Sequence, residues 1–120
     1  ISPVIPSFGS TSSPQFTLEA GRRILPEGWA SESVTPDEPH LMPGDNPRSS
    51  RPSGYQYQWW TPRDWDGDFL ARGIWGQNIY VHPGNRVVIV KLAADQKNFD
   101  PAFKVAYVDY LQDLGQSLTD

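Results

Sequence analysis

The sequence has no cysteine, which excludes disulfide frameworks, thiolate nucleophiles and Cys-bound metals and leaves the redox compartment open. It has no long apolar run either: Val87 to Val90 is the longest, far too short to span a bilayer, so no membrane partner is expected. Positive charge is scarce, with 10 Lys and Arg against 14 Asp and Glu and a net charge of −4. No basic stripe exists, so nucleic acid is not an expected partner. The lysines are Lys91, Lys97 and Lys104, and the residues three before them are Val88, Ala94 and Pro101. A Ser-x-x-Lys nucleophile is therefore absent, as are a Gly-x-Ser-x-Gly elbow and a phosphate loop.

The two histidines, His40 in a loop and His82 beside a turn, have no second ligand at metal spacing, and His82 reads as a surface residue. "DWDGD", with Asp64, Asp66 and Asp68, resembles the start of a calcium loop, but its twelfth position is Trp75 where a bidentate Glu is needed. It reads instead as a polar hairpin connection. No metal and no cofactor are expected. The amino-terminal stretch has no signal-peptide pattern, and a chain opening on Ile1 is expected to be a processed or truncated product.

What is abundant is Pro (12) and Gly (10), concentrated in the first half, so the folding unit is expected to be smaller than 120 residues. Residues 1–15 read as an extended or disordered segment. Pro26 to Val34 suits a short helix with Pro26 at its first position. Residues 35–54 form a long loop without a hydrophobic face.

From Gly54 onward the pattern changes. "GYQYQWW" alternates at strand period; Phe69, Ala71 and Gly73 continue an alternation; Gln77 to His82 and Arg86 to Leu92 are further strands, with Pro83-Gly84 at the centre of a type II turn. Val87 to Val90 is apolar on both faces, so that strand is expected to be central and covered on both sides. Asp100-Pro101 starts a helix, and Phe103, Tyr107, Tyr110, Leu111 and Leu114 recur along it until Gly115 ends it, giving a helix over about 101–114. The fold class is α+β: an antiparallel sheet of three to four strands within 54–93 and a carboxy-terminal helix on one face. The other face has no cover in this sequence.

Five tryptophans are many for this length. Trp59 and Trp60 fall on opposite faces of one strand, so one is expected in the core and the other at an interface or pocket wall. Gly73-Ile74-Trp75-Gly76-Gln77 sits at the mouth of a hairpin. A glycine there permits close approach of a ligand, with the next N–H pointing into a cleft as an oxyanion donor. Equally, the pair of glycines suits a β-bulge that re-aims the strand.

"GYQYQWW", "FLARGIWGQNIYVHP", "VVIVKLA" and the terminal helix, with "GRRILPEGWASESVTP" before them, resemble the carboxy-terminal part of the β-lactamase-related (penicillin-recognising) serine hydrolases, in the branch of 6-aminohexanoate-oligomer hydrolases and related esterases. The resemblance runs from about Phe16 to Leu118, so 16–120 is expected to be the carboxy-terminal portion of a β-lactamase or DD-peptidase-like domain. It implies hydrolysis of a small acyl amide or ester. The family's Lys-Thr-Gly-type triad falls on Ala71-Arg72-Gly73, which makes Ile74 N–H the oxyanion donor and Ala71, Arg72, Gly73, Trp75 and Gln77 a strand that lines or supports the cleft. The departure at Ala71 and Arg72 removes the cationic group that recognises a penicillin carboxylate, so amide or ester hydrolysis is expected rather than β-lactamase activity. The nucleophile, its lysine and the tyrosine belong to an upstream region of the family that this chain lacks. On its own the chain is expected to be inactive, and that catalytic portion or a homodimer partner is expected to cover the bare sheet face. Two alternatives stand beside this reading. One is a glycan-binding module using Trp59 or Trp60, Trp75 and the Asp64–Asp68 loop; the other is a non-enzymatic dimerising β module.

Overall fold

Between Gly54 and Lys91 the chain builds one antiparallel sheet, and a single long helix then crosses one of its faces. The computed structural model describes residues 18–19, 22–49 and 51–118, so the segment expected at 1–15 lies outside the described residues. A small pair, β1 (Leu18–Glu19) and β2 (Arg22–Arg23), precedes a short helix α1 (Trp29–Ser33) and a 3₁₀ turn at Pro39–Leu41. The sheet comprises β3 (Gly54–Gln56), β4 (Trp59–Thr61), β5 (Phe69–Arg72), β6 (Asn78–His82) and β7 (Val87–Lys91), in sequence order across it. A second 3₁₀ turn (Gln96–Phe99) leads into α2 (Pro101–Ser117). The class is α+β, as the sequence implies, with five strands instead of three to four.

The extra strand comes from "GYQYQWW", which is a hairpin and not one strand. Tyr57 (φ 45°) and Gln58 (φ 71°) form a two-residue turn between Gln56 and Trp59. Positive φ at both centres is the arrangement whose twist matches the flanking strands, and it normally carries Asn or Gly. Tyr and Gln give no such signal, and the alternation continues through the turn because Tyr55 pairs with Trp60.

Residues paired across strands share a face. Trp60, Leu70, Tyr80 and Ile89 thus lie on one side, against Val108 and Leu111 of α2. Trp59, Phe69 and Val81 lie on the other, against Val34 just after α1. Each Leu or Phe buried this way contributes roughly 1.5–3 kcal/mol.

Other expectations need correction. α1 begins at Trp29 and not at Pro26, because Gly28 turns the chain through the left-handed region (φ 81°) immediately before it. α2 does not end at Gly115 but runs to Ser117. Gly115 is there for contact: a Cβ would come within 2.9 Å of the Tyr80 ring. Asn85 Nδ2 donates to the carbonyls of Gly115 and Gln116, satisfying the end of the helix from outside it. Gly84 does not take positive φ, so the β6–β7 turn is not type II. Arg86 N–H bonds Pro83 O at 3.1 Å and Arg86 takes the left-handed position (φ 59°). β7 is an edge strand among the described residues, with Val88 and Val90 about half exposed, so its apolar run is covered on one face only.

His82 is not on the surface but 3% exposed. The connection carrying "DWDGD" folds over the β6–β7 end and brings Asp66 Oδ2 to 3.1 Å from His82 Nε2. Asn85 N–H donates to His82 Nδ1, so the ring's own proton sits on Nε2, facing Asp66. Asp68, fully buried, accepts from the Tyr80 hydroxyl, from Gln112 Nε2 (3.1 Å) and from Asp66 N–H (3.0 Å). Burial first, and then its bond to Asp68, raise the Tyr80 pKa, which keeps the phenol protonated as the donor.

This network predicts an order of stabilities in urea. Asp68→Ala strands the buried Tyr80 hydroxyl without an acceptor, removes the acceptor of Asp66 N–H and leaves Gln112 Nε2 only the Asp64 carbonyl, and should cost about 3 kcal/mol. Tyr80→Phe leaves Asp68 two donors, and should cost about 1 kcal/mol. Equal losses for the two variants would show that Asp68 is not the hub of the network.

Candidate functional site at the β5–β6 hairpin

The five residues that stand out in the sequence form the tip of the β5–β6 hairpin. Gly73 N–H bonds Gln77 O at 2.7 Å, and Gly76 N–H bonds Gly73 O at 3.1 Å. Neither Ile74 nor Trp75 has positive φ, whereas Gly76 does (φ 90°), so the tip is a type I turn followed by a left-handed glycine that bulges the strand. The two glycines have separate reasons. Gly76 supplies the left-handed residue. Gly73 makes room for Gln77, whose carboxamide a Cβ there would strike. That carboxamide turns back to accept Trp75 N–H at 3.1 Å. The bulge expected as one of two readings is therefore present.

The amide left over is that of Ile74. Gly73, Trp75 and Gly76 N–H are all engaged, but Ile74 N–H has no acceptor among the described residues, and the residue is 69% exposed. The carbonyls on either side of that amide are held by a segment the sequence reading missed. Asn98 Nδ2 donates to Ile74 O (3.0 Å) and Gly73 O (3.4 Å), Asp95 N–H donates to Trp75 O (2.8 Å), and Phe99 meets Trp75 edge-on at 5.2 Å. Nothing local marks Asn98 or Asp95, since these contacts join positions about twenty-five apart in the chain.

The other residues expected to form the cleft divide between the two faces. Arg72 pairs with Asn78 and shares the α2 side with Leu70, while Ala71 pairs with Ile79 on the opposite side. Arg72, Gly73 and Ile74 come together on the wall of a cavity of about 540 Å³ between β4, β5 and α2. Trp60, Lys104, Val105 and Val108 face them. Trp75 and Gln77 are not on this wall; they brace the tip. Burial, and then the charge of Arg51, push the Arg72 pKa down. Among the described residues no serine hydroxyl is hydrogen-bonded to a lysine, histidine or tyrosine; those that donate do so to backbone carbonyls. The arrangement offers an amide donor and cationic charge, without a nucleophile–base pair.

The surface expected for a glycan module does not assemble. Trp59 packs against Phe69 on one face, Trp60 borders the cavity on the other, Trp75 is against Phe99, and Asp68 is buried.

Asn98→Ala should free the hairpin tip without unfolding the chain. A lost hydrogen bond of about 1 kcal/mol corresponds to roughly fivefold faster local opening. Hydrogen exchange at Gly76 and Trp75 should accelerate by that factor, while exchange at Tyr80 stays unchanged. Unaltered exchange at Gly76 would remove Asn98 from the support of the tip.

No protein-family model matches the chain. Over 75 residues it is 32% identical to the 6-aminohexanoate-dimer hydrolase of Paenarthrobacter ureafaciens, a stretch that is 62% of this chain and 19% of that protein. The chain thus spans about a fifth of the length of the curated relative it matches. At this identity and coverage the similarity supports a hydrolase-related segment, of the β-lactamase-related family at the most.

Proposed function

We propose that this chain is the carboxy-terminal part of a β-lactamase-related serine acyl hydrolase, and that it supplies one arm of the oxyanion hole through Ile74 N–H. The observation that carries this reading is the unengaged Ile74 amide on a hairpin tip whose other amides are bonded and whose carbonyls are held by Asn98 and Asp95. A donor held this way needs no reorganisation as charge develops, which is the condition for transition-state stabilisation. The similarity to a hydrolase over 75 residues adds weight.

In this mechanism a serine in the upstream portion attacks the acyl carbon of a small amide or ester. A bond forms between the serine oxygen and that carbon, and the carbonyl π electrons move onto its oxygen. Ile74 N–H and the serine's own N–H donate to that oxygen. When the intermediate collapses, the acyl C–N or C–O bond breaks and the proton given up by the serine goes to the departing amine or alcohol; water later adds to the acyl-enzyme, releasing the acid and returning a proton to the serine oxygen. Asn98, Gln77 and Asp95 act as positioning residues for the tip. Ala71, lying on the face opposite Arg72, carries no charge with which to hold a β-lactam carboxylate, so amides and esters are the proposed substrates. The relative's name describes hydrolysis of a 6-aminohexanoate dimer; a small acyl amide is the first substrate to try here.

The upstream portion also fits the exposed apolar face. Ile79, Val88, Val90 and Leu92 are 43–86% exposed there, and among the described residues β7 has an open edge. Apolar strips of this size are normally covered. We take the cover to be the upstream catalytic portion in preference to a second copy, because four-fifths of the relative's length lies outside the match.

Ile74 occupies the second position of its turn, where proline is favoured, so Ile74→Pro deletes the N–H while suiting the backbone. In the enzyme carrying the upstream portion, Ile74→Pro should lower kcat on an acyl amide or ester by roughly 10²–10³. Ile74→Ala keeps the N–H and should retain turnover. Normal kcat in a folded Ile74→Pro enzyme would refute the assignment.

A further inference from the structure

Arg51 and Arg72 both lie over the ring of Trp60, their guanidinium carbons 5.3 and 4.9 Å from its centroid. Among the described residues neither has a carboxylate partner or a hydrogen-bond acceptor. Two like charges are thus gathered on one aromatic ring, and Arg72 is half-buried there. A guanidinium keeps its proton and presents five donors in a fixed fork that matches a carboxylate. Leaving such a fork partly desolvated and unpaired is costly, and an anion between the two arginines relieves both the repulsion and the unsatisfied donors.

The space they border has the volume of a small-molecule site. Arg63 and Lys104 line the cavity as well, and Asp109, the carboxylate found there, lies 3.7 Å from Arg63. The cavity is therefore positive in a chain whose net charge is −4. Apart from Ser53 and Asn98, the rest of its side-chain lining is apolar, with Pro52, Trp60, Pro101, Val105 and Val108 among it. Cationic groups together with apolar surface suit an amphipathic anion better than a bare ion.

We propose that this cavity binds an organic monocarboxylic acid, with its carboxylate between Arg51 and Arg72 and its apolar body along Val105 and Val108. These cations lie across β5 from Ala71, so they do not replace the charge missing there. Gly73 and Ile74 line the same cavity, which sets the acid beside the hairpin tip. Taking that acid for part of the hydrolysed substrate rests on the proposed function; the binding itself does not.

The test is a titration of the chain with heptanoate, heptanol, heptylamine and inorganic phosphate, followed by NMR at the Trp60 indole N–H and the arginine Nε–H signals. Heptanoate should give saturable shifts at both. Heptanol should bind at least about tenfold more weakly, since it lacks the charge-assisted bonds, and heptylamine should not bind. Arg51→Met and Arg72→Met should each weaken heptanoate by about fivefold or more. Arg51 is exposed, so its variant reports even if Arg72→Met fails to fold. The proposal is overturned by no saturable shift with heptanoate, by equal affinity for heptanoate and heptanol, by tighter binding of phosphate than of heptanoate, or by full affinity in Arg51→Met. None of these readings involves turnover, so failure here leaves the Ile74 assignment to its own experiment.

Discussion

The Asp68 carboxylate holds the sheet and the helix in one register. It accepts from Tyr80 on β6, from Gln112 on α2 and from the backbone of its own connection, all in a place without solvent. A buried charge is tolerable only with such a set of donors. Tyr80 is the other half of the device. Its ring lies against Gly115, where a side chain would not fit, and its hydroxyl reaches Asp68. Leu70 and Leu111 pack around it, so polar and apolar contacts agree on one position for α2.

That position has consequences at the other end of the helix. α2 is rigid over seventeen residues, and Asp100 caps it by accepting Ala102 N–H. Once the carboxy-terminal end is held at Tyr80 and Asn85, the segment before the cap must lie beside the β5–β6 tip. Asn98 and Asp95 then meet the carbonyls of Ile74 and Trp75. A free amide on a two-residue excursion would ordinarily be mobile; here it is braced from within by Gln77 and from outside by the helix approach. The same placement bounds the cavity, because Lys104, Val105 and Val108 form its far wall. Candidate chemistry and stability therefore share one scaffold.

Much of the fold is legible residue by residue. The alternation in Phe69 to Arg72 and Asn78 to His82, and the Asp100-Pro101 start of α2, carry local signals that tertiary contacts did not override. The failures are equally specific. The turn at Tyr57-Gln58 lacks the residues such turns usually show, so a hairpin reads as one strand. Gly115 looks like a helix stop because its other use, contact with a ring thirty-five positions earlier, is invisible in one dimension. His82 looks exposed because Asp66 comes to it from a different connection.

For the candidate site, residue order alone establishes that the chain carries no Ser-x-x-Lys nucleophile, that two glycines bracket Ile74 and that arginine, not lysine, follows Ala71. These are matters of identity and spacing, which no folding can change. It takes the folded chain to leave Ile74 N–H without an acceptor among the described residues, to turn Arg72 towards α2 beside Arg51 and Trp60, and to bring Asn98 to the tip. Each of those depends on strand parity and on long-range closure. Side chains one position apart on a strand face opposite ways, and groups far apart in the chain meet only when a buried hub fixes the helix against the sheet.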